Sequence, residues 1–307
     1  MSEAFAVAIQ EHGEAAVTGA TGQVEHAAEP TLGEMIMHHV VDSREIELPG
    51  GRVWHLPQWE PIDLGPLTVD PSLTKHVVFM LLGATLLTIL MIWTARRTHG
   101  KGAERAPRGV ANAIEAFVIY IRDEVALRNI GHGGERFVPY VLTLFFFILF
   151  ANLLGLLPWG ATATANLSVT VTLALISFLV VEISGFMALG ARGYSKTIFY
   201  APEGMGPFGR SLMLLIMTPV ELLGKLAKPF ALAIRLFANM NAGHFVVLSL
   251  IGLIILAAPI AKFAVPVAGP VLMAVAIMVL ELFVSLLQAY IFAMLTSVFI
   301  GLIRHAH

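Results

Sequence analysis

Cysteine is absent from this chain, which excludes disulfides, thiolate catalysis and Cys-ligated metal while saying little about compartment. Charge is scarce too. Asp, Glu, Lys and Arg make up 13% of the 307 residues, against about 25% in soluble domains. The formal net charge is −2, so nothing points to nucleic acid. Residues 1–30 lack the basic opening and continuous apolar core of a secretory signal, and they carry Glu3, Glu11, Glu14, Glu25 and Glu29. Nor are they Arg-rich like a transit peptide, so they read as a mobile tail. Also missing are a Gly-x-x-x-x-Gly-Lys-Ser/Thr phosphate loop, a His-Glu-x-x-His metal motif and a Gly-x-Ser-x-Gly elbow.

What is abundant is apolar sequence, at 57% of residues. That composition describes an all-α polytopic membrane protein. Val77–Thr94 is an uncharged run of 18 residues, just long enough to cross a bilayer. No charge occurs between Phe137 and Val181, and Pro158, Gly160 and Asn166 divide that stretch into two helices. Expected spans are about 75–95, 137–158, 167–190, 211–257 and 268–303, five crossings within a membrane domain over 73–303. A Pro/Gly-rich break with Pro259, Pro266, Gly269 and Pro270 separates the last two. Between the first two lies a different segment, about 109–130. Val110, Ile114, Phe117, Val118, Ile121 and Val125 share one face, as in an amphipathic helix lying in the membrane interface. A packed helix on a soluble flap fits the same pattern.

Basic residues give the orientation. Segment 96–136 holds eight Lys/Arg, loop 191–210 holds Arg192, Lys196 and Arg210, and Arg304 lies near the end. The positive-inside rule puts these in the cytoplasm, and residues 1–72 become an acidic extracytoplasmic extension.

Within the spans a few polar residues stand out. At about 100° per residue, Glu221, Lys225, Lys228, Leu232, Arg235, Asn239 and Ala242 form one stripe. His244 points roughly opposite to Arg235. Glu281, Ser285 and Gln288 form a second stripe on the last helix, with Glu281 and Gln288 about 20° apart. Packed as a hairpin, these helices would turn His244 toward Glu281 while Arg235 looks elsewhere, giving two separated polar surfaces. Each residue also has a plainer reading. Lysines near a helix end snorkel, Asn and Gln join helices by hydrogen bonding, and a lone histidine packs. Arg235 is hardest to explain that way, because an arginine near the bilayer centre costs roughly 2.5–3.5 kcal/mol even on lenient scales.

The run Leu-Ala-Ile-Arg235-Leu-Phe-Ala-Asn239-Met-Asn-Ala-Gly243-His244 strongly resembles the signature of subunit a of the rotary F-type ATP synthase. Glu221-Leu-Leu-Gly-Lys-Leu-Ala-Lys228-Pro229, Leu286-Leu-Gln288-Ala-Tyr-Ile-Phe292 and Asn152-Leu-Leu-Gly-Leu-Leu-Pro158, with Asn166 and Thr170, fit the same family. The match covers about residues 75–303. The resemblance implies that the last two helices form a long tilted hairpin beside a ring of c subunits. Arg235 would be the stator charge facing that ring. Asn239, His244, Glu281 and Gln288 would line the periplasmic half-channel, Glu221 would belong to the cytoplasmic one, and Gly243 would allow close helix approach. The order His244 then Glu281 is that of mitochondrial-type members. Glu182 has no role that the resemblance supplies. Implied partners are the c-ring, subunit b of the peripheral stalk, the rest of the F1Fo complex and the bilayer of a bacterial inner membrane. No cofactor, metal or bond chemistry is implied for this chain.

Two other classes remain at this point. An ion-coupled secondary transporter would use Arg235 as an anion site, but no internal repeat of the Arg235 segment is visible. An intramembrane enzyme would need a motif that is missing. His38-His39 invites a metal site, and an exposed pair in a polar tail explains it more simply.

Overall fold

The computed structural model describes residues 42–48, 52–63, 65, 68–98, 109–157, 160–199, 206–257 and 265–305. The expected mobile tail, the His38-His39 pair and Pro259 of the expected break fall outside these residues.

Five long apolar helices account for the five expected crossings. They are α1 (Lys75–Thr98), α4 (Val138–Gly155), α5 (Leu167–Ile198), α6 (Pro207–Ala257) and α7 (Val265–Arg304). Between α1 and α4 the chain forms α2 (Val110–Tyr120), a π-helical stretch (Ile121–Leu127) and the short α3 (Arg128–Ile130). The wider turn sets which residues face inward. Ile121, Val125, Ala126 and Ile130 are all buried, a spacing of four and five that suits i→i+5 bonding better than an α-helix. Ile114 is buried as well, whereas Val110 and Phe117, expected on the same face, are exposed.

α7 is the hub. It packs against α3, α4, α5 and α6, and α1 packs on α4. The core combines Phe145 and Ile148 of α4, Leu232 and Leu236 of α6, and Ala289, Phe292, Ala293 and Ile300 of α7 with the π-helical residues. Polar side chains lie inside this apolar bundle rather than outside. Glu281, Ser285, Gln288, Thr296 and Ser297 of α7 are buried, while Leu272, Val279 and Phe283 are exposed. That inversion is the pattern of a helix surrounded by lipid and protein.

Two glycines shape the helix paths. Gly190, where the third span was expected to stop, has φ 66° and ψ 175°, and α5 resumes beyond it to Ile198. Only glycine takes that conformation without steric cost. At Gly301 of α7, a Cβ would run into the backbone carbonyl of Asn129. The missing side chain lets α3 lie directly on α7.

Short antiparallel strands precede α1. β1 (Glu45–Leu48) pairs with β2 (Arg52–His55), and β3 (Ile62–Asp63) with β4 (Thr68–Val69). Asp42 fastens this segment to the bundle. Its carboxylate lies 2.7 Å from His76 Nδ1 and accepts from the His76 amide at 3.3 Å and from Asn166 Nδ2 at 3.2 Å. An anion at the start of α1 also suits the helix dipole. Burial raises the Asp42 carboxyl, but hydrogen bonds from His76 and Thr74 and the charge of His76 outweigh it, holding Asp42 below its usual 3.8.

Two outcomes are expected. Gly301→Ala overpacks a backbone contact that cannot yield, at a cost of about 1–3 kcal/mol, read as a lower melting temperature of the purified protein. Asp42, with its folded pKa depressed, stabilises the strand segment above pH 3.8. That contribution is lost as pH falls below 3.8 and through the lower folded value. Trp59 fluorescence followed against pH should show an acid transition that Asp42→Asn weakens.

Candidate functional site

α6 and α7 meet through two polar pairs. Asn239 Nδ2 donates to Gln288 Oε1 at 3.0 Å, and His244 Nδ1 lies 3.1 Å from Glu281 Oε1. Position rises along α6 as it falls along α7, so the helices run antiparallel in that register. Gly243 makes the second pair possible. A Cβ there would stand 2.8 Å from Glu281 Oε1 and 3.0 Å from its Cδ. The glycine leaves the space that the carboxylate occupies.

The histidine is held from its other side as well. Nε2 lies 2.5 Å from the hydroxyl of Thr162, in the turn between α4 and α5. This turn folds tightly over the end of α4, since a Cβ at Gly155 would overlap Thr162. Thr164 donates to Asn152 Oδ1 at 2.5 Å, Asn241 Nδ2 donates to the carbonyl of Ala165 at 3.0 Å, and Asn166 reaches Asp42. One turn thus fixes His244, Asn152, Asn241 and the strand segment. Nothing in the sequence marked Thr162, because its partner is 82 residues away and a lone threonine in a turn carries no periodic signal.

Glu281 is 6% exposed and Gln288 2%. The contact between Glu281 Oε1 and His244 is within ion-pair reach but is not an aligned hydrogen bond. Ser285 Oγ and Gln288 Nε2 are buried without a partner among the described residues. Three polar atoms on one face of α7 therefore keep unused hydrogen-bonding capacity, which is rare in packed interiors.

Arg235 is exposed on α6 and makes no ion pair or hydrogen bond among the described residues. It lines a cavity of about 360 Å³ together with Asn239, Gly243, Glu281 and Gln288. The expected separation of Arg235 from the His/Glu surface is therefore bridged. His244 and Arg235 leave α6 on different sides, yet the stripe on α7 reaches from one to the other.

Glu221 sits elsewhere. It lines a second cavity, about 140 Å³, formed by α5, α6 and α7 with Glu182, Lys225 and Lys228. Lys225 does not snorkel. Its side chain is 10% exposed and its Nζ lies 3.4 Å from Glu182 Oε2, with Thr197 Oγ1 at 3.3 Å and the Tyr194 ring centroid at 4.7 Å. Tyr194 also donates its hydroxyl to Glu182. Lys228 stands over the ring of Phe299 at 5.1 Å. Glu182 was visible in the sequence as the first charge after a long uncharged run, but its partners lie 12 and 43 residues on.

Comparison with known proteins bears on the whole of this membrane region. A sequence profile of the family described as ATP synthase A chain matches residues 77–301. "ATP synthase subunit a 2" of Chlorobaculum tepidum is 40% identical, with 98% of this chain and 87% of that protein aligned. "ATP synthase subunit a" of Anaeromyxobacter dehalogenans strain 2CP-C is 43% identical over 97% of this chain and 78% of the relative. The protein of the same name from Chloroherpeton thalassium is 43% identical over 95% and 82%. This multi-pass, all-helical membrane chain belongs to the ATP synthase subunit a family.

Proposed function

We propose that this chain is the proton-translocating stator subunit of the membrane sector of an F-type ATP synthase. It would stand beside a ring of c subunits, be braced by subunit b, and couple proton flow to ATP synthesis on other chains. The observation that carries this reading is the cavity shared by Arg235, exposed and without an ion pair among the described residues, with Asn239 and the buried Glu281 and Gln288, while His244 reaches Glu281 from outside the lining. An anion-binding transporter site at Arg235 would need donors converging on it, whereas here the cavity also holds the Glu281 carboxylate, which repels anions.

Each residue has a physical task. Arg235 faces the membrane-buried carboxylate of an arriving ring subunit and favours its ionised form. It keeps its own charge, so protons do not pass through it. His244 passes protons between its two ring nitrogens and its partners, and Glu281 beside it takes and returns the proton. Asn239 and Gln288 continue the polar surface along the periplasmic half-channel. Gly243 keeps α6 close enough for Glu281 to reach His244. Glu221 serves the cytoplasmic half-channel. The strand segment and the turn holding Thr162 lie on the periplasmic side, and the helix formed by residues 110–130 lies in the cytoplasmic interface of a bacterial inner membrane.

Arg235→Ala should abolish proton-driven ATP synthesis in the reconstituted complex while assembly persists, and Arg235→Lys should also fail to restore it. Normal synthesis in Arg235→Ala would sink the assignment. His244→Gln and Glu281→Gln should each slow proton flux and change its dependence on periplasmic pH. Identical flux curves for both variants and the parent would remove them from the path.

A further inference from the structure

Glu221 and Lys225 are four residues apart on α6, with the acid N-terminal to the base. That is the arrangement in which a helical ion pair forms most readily. In this structure it does not form. Lys225 is turned toward α5, where the Glu182 carboxylate (3.4 Å), the Thr197 hydroxyl (3.3 Å) and the face of Tyr194 (4.7 Å) hold it. Tyr194 in turn donates to the same Glu182 oxygen that pairs with Lys225. The Glu182 and Lys225 side chains are 16% and 10% exposed, so the pair is largely withdrawn from water. Glu221 is left exposed, without an ion pair or hydrogen bond among the described residues, on the wall of the same cavity.

We propose that Glu182 is a positioning residue that draws Lys225 away from Glu221 and so keeps the Glu221 carboxylate free to exchange protons. The inference rests on the placement of Glu221 in the cytoplasmic half-channel. The charges facing this cavity are few. α5 supplies Glu182, with Tyr194 behind it on its carboxylate, and α6 supplies Glu221, Lys225 and Lys228. α7 supplies only Thr296, Phe299, Leu302 and Ile303, none of which titrates. Lys228 lies over Phe299, leaving Lys225 as the cation best placed to capture Glu221. A carboxylate bound to an ammonium gives up its proton too readily to carry one. Glu182 prevents that capture by offering a better-shielded partner with additional hydrogen bonds.

The test uses the whole complex reconstituted in proteoliposomes, with proton flux followed as the pH on the cytoplasmic face is varied. Removing the Glu182 charge leaves Lys225 without an anionic partner in a largely buried site, a costly state, and Glu221, four residues away on α6, is the carboxylate that remains on the cavity wall. Glu182→Gln should therefore slow flux several-fold and move its half-maximal pH toward acid by about one unit. The double variant Glu182→Gln/Lys225→Met should recover both rate and profile, because the capturing cation is gone. Parental flux and profile in Glu182→Gln would overturn the proposal. Failure of the double variant to recover, or to assemble, would also overturn it, since a strut joining α5 to α6 is not rebuilt by deleting Lys225. Glu221→Gln separates the two levels. If it leaves flux unchanged, the half-channel role of Glu221 fails; if it slows flux while the Glu182 series misbehaves, only the present proposal fails.

Discussion

An ionisable side chain inside an apolar bundle must be paired, shielded or set beside a polar cavity, and this constraint organises the membrane region. Desolvating a charge costs several kcal/mol (roughly) before any partner repays it. The chain meets the constraint in three ways. Lys225 is paired and wrapped by Glu182, Thr197 and Tyr194. Glu281 is buried next to His244 in space that Gly243 leaves open. Arg235 is exposed, has no ion pair among the described residues and opens onto a cavity. The first arrangement makes a charge inert. The last leaves one available to another molecule.

The same constraint explains why α7 is built as it is. A helix surrounded by lipid gains nothing from a polar exterior, so its polar residues turn inward and must find partners there. Gln288 takes Asn239 and Glu281 takes His244. Those two contacts fix the register of α6 against α7 more firmly than interchangeable apolar contacts could. Polar specificity of this kind works only if the backbones come close. The glycine at 243 on α6 allows it, since a Cβ there would run into Glu281.

How much of this could be read from the sequence follows from the range over which each feature is determined. The five long helices are local properties of composition, whereas the continuation of the third one past Gly190 to Ile198 was not expected. The polar residues at 235, 239, 244, 281 and 288 stood out because apolar surroundings make them costly. The sharing of one cavity by Arg235 and Glu281 did not, because ideal helix angles describe a single helix and not how far a neighbour's stripe extends. The π-helical stretch at 121–127 was hidden too, since an apolar face with four- and five-residue spacing resembles an imperfect α-helical one. Thr162, Asp42 and the partners of Glu182 depend on contacts between distant segments, and no periodic pattern announces them.

The two cavities have no lining residue in common. On α6 the outer one ends at Arg235 and the inner one at Leu232; on α7 they end at Ile291 and Thr296. Ala233, Phe292 and Ala293, all buried in the apolar core, occupy the interval. A proton reaching Glu281 from one side therefore meets hydrocarbon before it meets Glu221. A continuous polar path would have dissipated the gradient whether or not ATP was made. In the function proposed above, the ring of c subunits is the carrier that collects a proton at one cavity and delivers it at the other. Arg235 stands at the inner end of the outer cavity, on the exposed face of α6, where such a carrier would have to pass. In that proposed role its fixed charge strips the carrier of its proton there, and the barrier in the protein becomes a one-proton step of rotation.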